Sequence, residues 1–304
     1  MSIPILMVPV AVGIVIVQVW GSYALIVRIF KWLTITLFAY VIASFLAHPN
    51  WGEVAKATVM PNVRFDGKYI TTIVAILGTT ISPYLFFWQA DQEVEEECRL
   101  GRTRLRQRLG ATPAEMRSEK IDTVVGMVFC NLVFYFVILA AGATLFVNGQ
   151  HDIQSATDAA QALRPLAGDF ASVLFAVGLI GCGLLAIPVL SGSAAYAVAE
   201  TFGWSAGLRE KPHRAKKFYW VIAASTLVGL LINIAGVDPI SALFWAAVIN
   251  GIAAPPLLVV VMMIANNKKI MMGHTNGLFA NIIGWTAVAF MFAAAIAMFV
   301  SWGQ

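Results

Sequence analysis

Charge is what this chain has least of. Only 12% of its 304 residues are Asp, Glu, Lys or Arg, where an ordinary soluble domain carries about 25%. Hydrophobic residues make up 60% of the chain, and the mean hydropathy is +0.80. That balance excludes a water-soluble globule. Cysteine is sparse too: Cys98, Cys130 and Cys182 show no Cys-x-x-Cys spacing and no Cys/His cluster to hold zinc or a redox pair. Cys130 and Cys182 lie in apolar stretches and read as small buried side chains. No nucleotide loop, Ser/His/Asp triad or metalloprotease helix is found, so nothing points to an enzyme or to a resident cofactor. His48, His151, His213 and His274 all fall in loops. No Asp, Glu, Lys or Arg stands at the middle of an apolar stretch, which leaves no charged proton relay in view.

What the chain does have is apolar length. About eight stretches approach the roughly 20 residues that a helix needs to cross a bilayer. They run over 4–20, 29–47, 69–90, 121–146, 168–198, 217–236, 240–264 and 279–301. Being long and continuous, they read as helices rather than barrel strands. The expected fold class is all-α, a polytopic transmembrane helical bundle in a single domain, with the lipid bilayer as partner. Breakers interrupt the third and fifth stretches, and Pro255-Pro256 marks a second break in the seventh.

Sixteen of the 20 basic residues fall on alternate loops, 21–31, 91–120, 199–217 and 265–278. Only Lys56, Arg64, Lys68 and Arg164 lie on the other side. Membrane topology, not nucleic acid, accounts for the net charge of +4. The rule places the basic loops inside, both termini outside, and the chain in the cell inner (plasma) membrane. The first stretch has neither a basic leader nor a cleavage site, so it is no signal peptide. An external start without a tail is what a chain lacking earlier spans would show. Loop 91–120 opens on Asp91, Glu93, Glu95, Glu96 and Glu97 and continues with five closely spaced arginines. It reads as a solvated helix with internal ion pairs; the sharper alternative is a carboxylate metal vestibule on Glu93, Glu96 or Glu97.

The third stretch carries the chemistry. Pro83 removes a helical hydrogen bond and pushes Ser82 away from helical dihedrals, while Gly78 loosens the turn before. The helix should unwind near 79–82, leaving carbonyls free at mid-membrane with Thr79, Thr80, Ser82 and Tyr84 around them. In secondary transporters such breaks form ion or substrate sites; a plain proline kink with back-bonded hydroxyls is the alternative. Asn131, Asn233 and Asn250 add polar groups at depth, and Asn250 is the strongest because it shares a stretch with Pro255-Pro256. The small residues from Gly178 to Ala195 suit close helix packing.

Several of these segments are similar to the Nramp family of divalent metal-ion transporters. The resemblance rests on Lys31-Trp32-Leu33 through Ala39-Tyr40, on His48-Pro49-Asn50-Trp51-Gly52-Glu53-Val54, on Gly78 to Gln89, and on Asn267-Lys268-Lys269-Ile270-Met271-Met272-Gly273. It implies the partial inverted-repeat (LeuT-like) transporter fold of amino-acid symporters, with these spans standing as family helices four to eleven. Helices one to three would then be missing, or supplied by a partner chain. The family's Met-Pro-His motif corresponds to Ser82, Pro83 and Tyr84, and the alanine whose carbonyl helps bind metal corresponds to Thr79. Oxygen in place of thioether sulfur suits harder ions of the Mn/Fe/Mg class. The resemblance therefore implies a divalent cation as transported substrate rather than cofactor, held by Thr79, Ser82, Tyr84 and Asn250 and moved by alternating access or symport. A symporter of a small organic solute and a non-transporting membrane fragment remain the alternatives.

Overall fold

The computed structural model describes residues 3–21, 23–146, 149, 153 and 155–301; His151 lies outside them. Among the described residues there are helices and no strand. The helices are α1 (Ile3–Trp20), α2 (Tyr23–Thr36), α3 (Phe38–Leu46), α4 (Trp51–Val59), α5 (Gly67–Thr80), α6 (Pro83–Arg99), α7 (Pro113–Ala141), α8 (Ala156–Thr201), α9 (Lys216–Ile234), α10 (Pro239–Ala265) and α11 (Leu278–Val300). Among the described residues seven helical segments are long and apolar enough to cross a membrane, with Ala24–Leu46 and Gly67–Arg99 each made of two helices. Met7–Trp20 is a shorter apolar helix. The chain is a multi-pass helical membrane protein.

The helix starts follow local chemistry. Asn50 caps α4 by accepting from Gly52 N at 3.1 Å, and Asp66 caps α5 by accepting from Tyr69 N at 2.9 Å. Thr112 and Glu115 form a reciprocal capping box at the head of α7, with Pro113 in the first helical position.

Two compact units are formed. The first comprises Met1–Met60 and Phe87–Ile240. Its core gathers Ile26, Tyr196, Leu208, Phe218, Tyr219 and Ile222, with a second cluster around Tyr40, Val133 and Phe175. The small residues of α8 serve packing: a Cβ on Gly178 would press on the Tyr40 ring at 2.9 Å, and one on Gly192 would meet Trp88 at 2.5 Å. Gln18 is buried, donating to the Pro188 carbonyl at 3.0 Å.

The second unit comprises Pro61–Phe86 and Ser241–Gln304. Here α5 runs antiparallel to α11, since a Cβ on Gly67 would meet the Ser301 carbonyl oxygen at 2.7 Å. Val74, Ala75, Val248 and Met298 form its core. The α10–α11 hairpin is fastened by a reciprocal amide pair, Asn266 Nδ2 to Asn281 Oδ1 at 2.7 Å and Asn281 Nδ2 to Asn266 Oδ1 at 2.8 Å.

Some expectations change. α10 is unbroken from Pro239 to Ala265 through Pro255 and Pro256, so the second break is not found. A proline removes only its own hydrogen bond, and the helix resumes when the surroundings hold it, here with Pro255 fully buried. In the fifth stretch the interruption sits at its start, at Gly168 with φ 86°. Cys130 and Cys182 are exposed and Cys98 is the buried one: an apolar position in a spanning helix faces lipid as readily as protein.

Candidate functional site

The break is narrower than the sequence suggests. Thr79 and Thr80 complete the last turn of α5, and only Ile81 and Ser82 leave the helix before Pro83 begins α6. Its cause is visible in the hydrogen bonds. In a continuous helix residue 83 would donate to the Thr79 carbonyl, which proline cannot do. Ser82 Oγ replaces it, reaching the Thr79 carbonyl at 3.0 Å and the Gly78 carbonyl at 2.5 Å. The hydroxyl is buried and caps the end of α5. The neighbouring threonines also turn inward, Thr79 Oγ1 to the Ala75 carbonyl at 3.0 Å and Thr80 Oγ1 to the Ile76 carbonyl at 3.0 Å.

Donation does not exhaust these oxygens. A hydroxyl has one hydrogen and two lone pairs, and a carbonyl has two lone pairs. Ser82 Oγ and the Thr79 carbonyl therefore keep acceptor capacity toward a cation. The C-terminal end of α5 carries the negative pole of its helix dipole, which favours positive charge there. The first turn of α6 presents the opposite pole, and Tyr84 lies in it, half-buried.

α10 reaches the same level by backbone contact. A Cβ on Gly78 would overlap the Ala247 carbonyl oxygen and the Gly251 amide nitrogen, and one on Gly251 would overlap the Val74 carbonyl oxygen. The two helices thus touch main chain to main chain, one turn before the break. Asn250, half-buried, adjoins that crossing. Thr79, Ser82 and Tyr84 are brought together by sequence; Asn250 lies beside Gly251 at the helix crossing one turn before the break, and among the described residues no hydrogen bond joins it to them. Of these, Thr79 is exposed. Gly251 and the Ala247 carbonyl escaped sequence reasoning; the one signal was a glycine beside Asn250 inside an apolar helix.

Other candidates fall away. Glu96 pairs with Arg99 at 2.6 Å and Glu97 with Arg102 at 2.8 Å, while Glu93 accepts from Gln89 Nε2 at 2.8 Å and lies beside Glu119. Among the described residues no three His, Cys, Asp or Glu side chains assemble a metal-binding group. Asn131 bonds back to the Met127 carbonyl at 2.8 Å. A groove of about 830 Å³ among α1, α8 and α9 is apolar, and its hydroxyls Ser191, Ser225 and Thr226 donate to their own helices.

Fold and break together define a membrane protein of the broken-helix class, with an oxygen-lined interruption in a spanning segment. The family described as natural resistance-associated macrophage protein-like matches residues 1–301, and the chain belongs to it, the Nramp family. Its relatives include proteins named divalent metal cation transporter MntH. The one from Caldanaerobacter subterraneus subsp. tengcongensis is 25% identical over 279 residues, covering 92% of this chain and 62% of the relative. That from Vibrio campbellii is 29% identical over 173 residues, 57% of this chain and 38% of the relative. That from Clostridium acetobutylicum is 23% identical over 247 residues, 81% and 53%. The chain thus spans under two-thirds of the length of these relatives.

Proposed function

We propose that this protein is a secondary transporter of divalent metal cations in the plasma membrane, working by alternating access around the break at Ile81–Ser82. The observation that carries the reading is Ser82. Its buried hydroxyl shares its one hydrogen between the Gly78 and Thr79 carbonyls and retains lone pairs able to accept a cation. Family membership and the printed names of the relatives support a divalent cation as cargo. Ser82 Oγ and the Thr79 carbonyl would bind the ion, with Tyr84 and Asn250 beside them. Oxygen ligands favour harder ions, Mg²⁺ and Mn²⁺ over Cd²⁺. The basic loops would lie on the cytoplasmic side.

Reconstitution into liposomes loaded with a metal-quenched fluorophore tests this directly. Mn²⁺ or Mg²⁺ flux is expected, and Ser82→Ala is expected to lower it. Ser82→Met, which places a thioether at the same point, is expected to shift the Cd²⁺-to-Mg²⁺ flux ratio toward Cd²⁺ by roughly tenfold, about 1.4 kcal/mol of preference. Absence of flux for every divalent ion would end the metal reading, and flux of a small organic solute instead would favour a symporter.

A further inference from the structure

The connection between α10 and α11 is not used by the ion site, yet it is an ordered structure. Asn267 Oδ1 accepts from Lys269 N at 2.9 Å and Ile270 N at 3.3 Å. The Met271 amide donates to the Asn267 carbonyl at 2.9 Å, and the His274 amide donates to the Met271 carbonyl at 2.8 Å. Met272 is held at φ 49° and Gly273 at φ 93°. A left-handed methionine costs energy that a merely connecting loop has no reason to spend. What the turn achieves is display: Ile270 is 58% exposed and Met272 57%, beside Leu278 at 79% and Phe279 at 77% in the first turn of α11.

Within its own unit the charge of this loop is uncompensated. Lys268 and Lys269 are exposed, and no Asp or Glu occurs anywhere from residue 239 to the end of the chain. The other stretch of the same unit, Pro61–Phe86, has a single acid, Asp66, which is placed at the opposite end of α5 as its cap. Both flanking helices are apolar almost to their ends, so the loop stands at the edge of the bilayer rather than beyond it.

We propose that residues 267–279 form a binding surface for anionic phospholipid headgroups. Lys268 and Lys269 meet the lipid phosphates, while Ile270, Met272, Leu278 and Phe279 enter the boundary between headgroups and acyl chains. Long cationic stems beside exposed apolar side chains fit that boundary, where each basic residue gains from the negative surface. The reciprocal Asn266–Asn281 pair fixes the base of the hairpin, so the surface is presented in one conformation. It acts whatever ion the protein carries.

The test is lipid titration of the purified full chain in detergent, with phosphatidylglycerol and phosphatidylcholine compared by native mass spectrometry. Phosphatidylglycerol is expected to bind more tightly. Lys268→Gln and Lys269→Gln are each expected to reduce that preference about fivefold, corresponding to roughly 1 kcal/mol per lysine. Lys56→Gln, in another part of the chain, is expected to leave it unchanged. Both lysines are exposed, so neither replacement disturbs packing. Equal binding of the two lipids by the unaltered protein, or an unchanged preference in the double lysine variant, would overturn the proposal.

Discussion

Gly78→Ala is expected to be among the most damaging single-methyl additions this protein can receive. The added Cβ would overlap the Ala247 carbonyl oxygen and the Gly251 nitrogen, and would stand 2.7 Å from Gly251 Cα. These are main-chain atoms of α10, so no side-chain rotation can make room. Overpacking a rigid contact costs on the order of 3 kcal/mol, enough for a fall of roughly 5–10 °C in Tm. Gly251→Ala meets the Val74 carbonyl from the other side and is expected to do the same. Gly229→Ala is the control: nothing lies within 4 Å of its Cβ, and alanine is the better helix former by about 1 kcal/mol. Thermal unfolding followed by circular dichroism separates the three. If Gly78→Ala unfolds where Gly229→Ala does, α5 and α10 do not touch as described.

The same contact bears on the proposed ion site. Separating α10 from α5 would disturb the helix crossing one turn before the break, so under the proposed function Gly78→Ala is expected to weaken metal flux beyond its loss of folded protein. Flux per folded molecule is the quantity to compare.

The spanning helices were legible because apolar length in a chain so poor in charge has few other meanings. The break was legible because proline acts through its own missing N–H, a local cause that sequence displays at Pro83. Back-bonded hydroxyls were legible there too, as the alternative to a site, and Ser82, Thr79 and Thr80 do bond back to their own turn; which carbonyls Ser82 would reach depends on how far the chain turns before α6 starts. Pro255 and Pro256 carried the same local signal and misled, because α10 stays helical across them, around a buried Pro255 and an exposed Pro256. Cys130 and Cys182 were assigned to the interior for their apolar surroundings, but in a bilayer hydropathy does not say which face of a helix meets protein. Glu95 was read only as one of a run of acids. Its partners, Tyr196 and the backbone at Leu208, lie more than a hundred residues away, and no local pattern announces such a meeting.

That meeting carries the second large expected effect. Glu95 is 4% exposed, and Tyr196 Oη donates to its Oε1 at 2.9 Å while accepting from Leu208 N at 3.1 Å. Arg209 stands farther off, its Nε 3.6 Å from Oε2, and Oε2 makes no hydrogen bond. Tyr219 Oη holds the same loop by donating to the Glu210 carbonyl at 2.8 Å. Gly207, at φ 135°, adopts a backbone conformation that suits glycine, and a Cβ there would come within 2.6 Å of Glu95 Oε1. Tyr196→Phe leaves a buried carboxylate and a buried amide without their shared partner. Hydrogen bonds to charged groups are worth about 1.5–3 kcal/mol, and the orphaned amide adds to that, so a loss of about 3 kcal/mol is expected. Glu95→Gln in the Tyr196→Phe background removes the stranded charge and should recover part of the loss, giving a coupling of about 1 kcal/mol or more in a double-mutant cycle. Trypsin cleavage after Arg209, in the loop that this network pins, reads the same event locally and should quicken in Tyr196→Phe. Additive effects with unchanged cleavage would mean that Glu95 and Tyr196 are neighbours without being partners. A coupled result would show that the 204–210 loop is held by the buried Glu95–Tyr196 pair rather than by the packing of its own side chains.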